Sequence, residues 1–163
     1  MNDLLRLLQE FHRDKLAAFL RHQAGSQLVG QYDTNNAYQY IISREETQLS
    51  WLATAIAELG GTVDDSGAPP GRRAVVGRGP AVGRAILEED ARDTQAFVDR
   101  WCPRVEAMAN ARHRGMLRVI LGETLEQRRT FEQGLEGRTD LLGRRAEQAA
   151  PNVGEVLPTR WIE

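Results

Sequence analysis

Residues 36–61 read NAYQYIISREETQLSWLATAIAELGG, and their apolar side chains recur with the spacing of an α-helix. Tyr38, Ile41, Ile42, Leu49, Leu52, Ile56 and Leu59 form one stripe. Glu45 falls at its centre, Gln48 on its flank, and Glu46 points sideways. Asp33 or Thr34 is the expected N-cap and Gly60-Gly61 the stop. A carboxylate in the middle of a face meant for burial is costly unless paired, protonated or bound to a cation.

Working outward, three more segments show helical periodicity and none shows convincing strand alternation. The first helix is expected over roughly 2–23, ahead of the break AGSQLVG at 24–30. The third is expected to run from about 81 to 101. Pro103 suits the first turn of a fourth, running to about 134. Residues 60–80, rich in Gly and Pro, are expected to be non-helical. Short links between helices one and two, and three and four, favour antiparallel hairpins. The long 60–80 segment can run the length of a bundle, so the expectation is an all-α four-helix bundle with one crossover, the ferritin-like connectivity. The bundle is assigned to residues 1–137. Residues 138–163 are assigned to a short helical stretch and an extended tail, PNVGEVLPTRWIE, packed on the bundle or a neighbour.

The chain has 163 residues, 23 acidic and 21 basic, of which 20 are Arg and one is Lys. That length suits one domain. The formal charge of −2 argues against nucleic acid as a partner. No apolar run approaches the ~20 residues that span a bilayer. No basic segment precedes an apolar one in the manner of a secretory signal, so a cytoplasmic location is expected. Cys102 is the single cysteine, which excludes a disulfide or a thiolate metal cluster within one chain. No nucleotide-binding or Ser/His/Asp pattern is present.

Carboxylates recur on the inward faces. In the fourth helix Glu123 sits within the stripe Val105, Met108, Met116, Val119 and Ile120, with Glu126 and Gln127 beside it. The third helix places Glu89, Asp90 and Asp93 between Ile86, Phe97 and Trp101. In the first, His12 accompanies Leu4, Leu5, Leu8, Phe11, Leu16 and Phe19, while Glu10 lies opposite. With Pro103 as the turn, Asp93 and Glu123 would sit roughly 15 Å apart along the axis; a turn within ANARHRG, near Met108, would bring them level.

Residues 36–61 and 116–133 (MLRVILGETLEQRRTFEQ) resemble helices two and four of ferritin-like, rubrerythrin-related proteins. The resemblance covers about two thirds of the chain as helix pattern. It implies two iron or manganese ions held between the helices and reacting with oxygen or peroxide. Glu45 and Glu123 would be the bridging carboxylates. Gln48 and Glu126 stand at the positions of the family's two histidines, and His12 stands on a helix where a glutamate belongs. Glu126, Asp93, Glu89, Gln48 and His12 complete the candidate set, and no catalytic residue is assigned. The competing expectation is a metal-free helical scaffold acting as a homodimer, a higher homo-oligomer or with a partner. Trp51, Tyr40 and Trp161 are its candidate contacts. Under it, Glu45 and Glu123 would meet an inward arginine such as Arg112, or water. His12 would be a core histidine, His22 and His113 would be solvated or capping helix ends, and Cys102 a small buried hydrophobe.

Overall fold

A computed structural model describes residues 2–66, 79–138 and 140–142. Among them the secondary structure is four helices and no strand: α1 Asn2–Ser26, α2 Tyr32–Glu58, α3 Pro80–Glu106 and α4 Ala111–Leu135. None is long and apolar enough to cross a membrane. Most of the link between α2 and α3, and the tail from 143 onward, with Trp161, lie outside the described residues.

The termini follow local chemistry. Gln31, two positions before Asp33 and three before Thr34, starts α2 by accepting a hydrogen bond from the Thr34 amide at 2.7 Å. Gly60 follows its end at a φ of 77°, the left-handed position that glycine tolerates. α1 runs three residues past Gln23, and the Leu28 amide closes its last turn on the Gly25 carbonyl at 2.9 Å.

Pro103 does not open α4; it lies inside the last turns of α3. The helix passes through it because Trp101, Val105 and Met108 are all buried in one apolar cluster, which holds the backbone in register beyond the missing N–H. The turn is 107–110, and Asn110 caps α4 by accepting from the His113 amide at 3.0 Å.

Side-chain pairs fix the packing. In the α1–α2 hairpin, Gly61 abuts Leu5 so closely that an added Cβ would stand 2.4 Å from its Cδ1. Arg118 and Glu106 join α4 to α3 near their turn at 2.5 Å, and Leu87 lies against Gly134 at the far end. α1 runs antiparallel to α3 through Arg104–Glu10 at 2.7 Å, Arg100–Asp14 at 2.9 Å and Arg21–Asp93 at 3.5 Å. α2 runs antiparallel to α4 through Arg44–Glu123 at 2.6 Å and Arg112–Glu58 at 3.0 Å. Two apolar clusters fill the interior. Leu8, Phe11, Leu52, Ile56, Trp101 and Leu117 belong to one; Tyr38, Ile41, Ile86, Leu87 and Phe131 belong to the other. Polar side chains are buried as well, and they build the site described next.

Candidate functional site

α1 turns Leu8, Phe11, Lys15, Ala18 and His22 to the interior at steps of three and four, and all five are buried. This face meets α2 at Glu45, whose side chain is 0% exposed. Lys15, 1% exposed, places Nζ 3.1 Å from Glu45 Oε1. His22, 4% exposed, places Nδ1 3.0 Å from Oε1 and 2.9 Å from Oε2. An ionised carboxylate only accepts, so this contact assigns the proton to His22 Nδ1. The His22 ring is held against Phe131 and Tyr38, with centroids at 5.4 and 6.2 Å. Lys15 Nζ also lies 5.5 Å from the centre of the Phe97 ring. Burial pushes the Glu45 carboxyl up, but the charges of His22 and Lys15 and their hydrogen bonds together hold it below its ordinary value. Glu45 is thus an ionised group in the core, with partners on both oxygens.

A second polar contact crosses the interior from α2 to α3. Tyr38 donates to Asp90 Oδ2 at 2.5 Å, and both residues are fully buried. One turn along α3, Thr94 donates back to the Asp90 carbonyl at 2.5 Å. A cavity of about 10 Å³ lies beside Lys15 and Glu45, and residues of all four helices line it, including Thr94, Thr124 and Gln127.

The other candidates are spread over several surroundings. Glu123 is partly exposed at the α2–α4 seam, where Arg44 holds Oε1 and the buried Gln48 amide donates to Oε2. Glu126 does not point inward; it is exposed and paired with Arg129 at 2.9 Å. Asp93 is partly exposed and turns to Arg21. Glu89 is half-buried on α3. The 107–110 turn evens out the stretches of chain leading to Asp93 and Glu123, yet these acids face arginines on different helices. His12 is buried, and that burial holds its imidazole below the ordinary value against a smaller opposing pull from Asp65. Among the described residues, no group of three or more His, Cys, Asp or Glu side chains is placed to hold a metal ion.

Several expected partners differ. Arg112 is exposed and pairs with Glu58, because the first turn of α4 directs it outward from the end of the bundle. His22 is a buried partner of Glu45 because α1 continues past it to Ser26, keeping it on the inward face. His113 does serve a helix end, its Nδ1 lying 2.9 Å from the Asn110 cap oxygen. Cys102 is exposed, since Trp101 beside it takes the buried position on α3. Tyr40 is 58% exposed, while Trp51 is half-buried with Arg44 over its ring at 5.7 Å. Tyr40, Arg44, Gln127, Leu141 and Leu142 are among the residues lining an open groove of about 790 Å³ between α2 and α4.

Lys15, His22 and Tyr38 are the site residues that a search for inward acids misses. The sequence carries a signal for Lys15: it is the single lysine, and it lies four residues after Phe11 and seven before His22. Comparison of the chain with protein-family models, with curated proteins and with solved structures gives no match.

Proposed function

We propose that the chain is a ferritin-like bundle that works without a metal, as a helical scaffold acting through association. The antiparallel pairs support the ferritin-like part. α2 ends beside the start of α1, while α3 begins near Val29, Gly30 and Thr34 at the opposite end, the placement of helix ends that a ferritin-like connectivity requires. The metal-free part rests on one observation: Lys15 and His22 already occupy both oxygens of Glu45. A di-metal centre needs converging anionic donors with open positions. Here a fixed ammonium stands beside the innermost carboxylate, and Glu123 is turned to Arg44 and Gln48. The donor set does not fit iron or manganese.

The outer surface has material for association in the α2–α4 groove and in Tyr40, Val119 and Leu142, each about half exposed. A second copy of the chain is the expected partner. The test is to incubate the protein with Fe(II) or Mn(II), desalt it, and measure bound metal together with mass by light scattering. Well under one metal per chain in a dimer or larger species supports the proposal. About two metal ions per chain, lost in a Glu45→Ala variant, would return the protein to the di-metal class. A metal-free monomer at all concentrations would remove the self-association.

A further inference from the structure

We infer that the cavity between Lys15, Glu45 and Gln127 is a binding site for a single water molecule that ties the four helices together. The inference rests on the metal-free reading above. Lys15 is an ammonium with three donors, 1% exposed, and its one hydrogen bond among the described residues goes to Glu45. Gln127, 5% exposed, lines the same cavity and has a buried Oε1 with no hydrogen-bond partner. A spare donor and a spare acceptor therefore border one small space lined by α1, α2, α3 and α4. Its volume, about 10 Å³, is that of roughly one water centre.

Charge selects the occupant. The Lys15 ammonium and the nearby Arg21 disfavour a cation, and the Glu45 and Asp93 carboxylates disfavour an anion. A neutral molecule able both to accept from Lys15 Nζ and to donate to Gln127 Oε1 meets both conditions, and only water is small enough. The Thr124 hydroxyl donates to the Ile120 carbonyl at 2.7 Å, so its oxygen can still accept a second hydrogen bond from the same water.

An atomic-resolution crystal structure, with anomalous data at the iron and manganese edges, tests this. The expected result is one density peak within hydrogen-bond distance of Lys15 Nζ and Gln127 Oε1, without anomalous signal. In a Gln127→Leu variant the peak should be lost while the helical circular dichroism is kept. If that variant does not fold, the wild-type density decides alone. Direct contact between Lys15 and Gln127 with no peak, or a peak that persists in folded Gln127→Leu, overturns the water site and leaves the metal-free proposal standing. An anomalous peak overturns both.

Discussion

Lys15 is the exception to a chain that otherwise uses arginine for every basic side chain but histidine, and its location accounts for that. Paired arginines among the described residues lie along the seams and surface, where a planar fork can grip a carboxylate from solvent: Arg104 reaches Glu10 and stacks 4.2 Å from the Trp101 ring, and Arg118 binds both oxygens of Glu106. At Glu45 there is space for a compact ammonium and about one water, with no solvent to satisfy five N–H donors. Lys15→Arg should therefore destabilise the fold by about 1–3 kcal/mol through overpacking, read from denaturant unfolding. Glu45 was legible in the sequence because a charge interrupts an apolar stripe. Its partner was harder to read, since a search for apolar periodicity passes over a lysine and takes its neighbours Leu16 and Phe19, which are only half-buried. The single-lysine count and the Leu8–Phe11–Lys15–Ala18–His22 spacing together would have placed it.

Element by element, the agreement between pattern and structure depends on whether the signal is a face or an end. In the stripe of α2, Tyr38, Ile41, Leu52 and Ile56 are core residues, while Ile42, Leu49 and Leu59 at its edges are half-buried. Pro103 misleads as a helix start because the burial of Val105 and Met108 outweighs the hydrogen bond that proline cannot donate. Asn110, within the alternative ANARHRG turn, supplies the cap instead. Asn110→Ala should lower stability by about 1 kcal/mol. The change is expected mainly in amide exchange at the first turn of α4, where the His113 N–H loses its acceptor. The inward acids of α3 and α4 sort by the same rule. Asp90 lies on the buried face and bonds Tyr38, whereas Glu126 lies far enough round α4 to reach solvent. A rotation of one residue position, about 100°, separates these outcomes, and a stripe of few apolar residues does not define its edge that finely.

At the scale of the molecule, buried ionisable groups set how stability depends on pH. His12 is held below its ordinary value of 6.5 and Glu45 below 4.5. In both, the unfolded chain binds the proton more readily than the fold. Their contributions are therefore present above those ordinary values and are lost as pH falls through the folded ones. Unfolding free energy should decline in two stages, first below about pH 6.5 for His12 and then below about 4.5 for the carboxylates. A His12→Leu variant should lack the first stage; an unchanged profile in that variant would contradict the assignment.

Under the proposed reading, Lys15 and His22 rather than metal ions hold the Glu45 carboxylate at the bundle's centre. A double-mutant cycle on Lys15 and Glu45, by denaturant unfolding in EDTA, tests it most directly. Glu45→Leu should cost about 3–5 kcal/mol, because it leaves the Lys15 ammonium buried without its partner, while Lys15→Met should cost less, because Glu45 keeps His22. The double variant should cost clearly less than the sum of the two single variants, since removing Lys15 together with Glu45 no longer strands the ammonium and leaves only His22 without its acceptor. Single-variant losses that simply add in the double variant would show that the two charges do not depend on each other, and would contradict the claim.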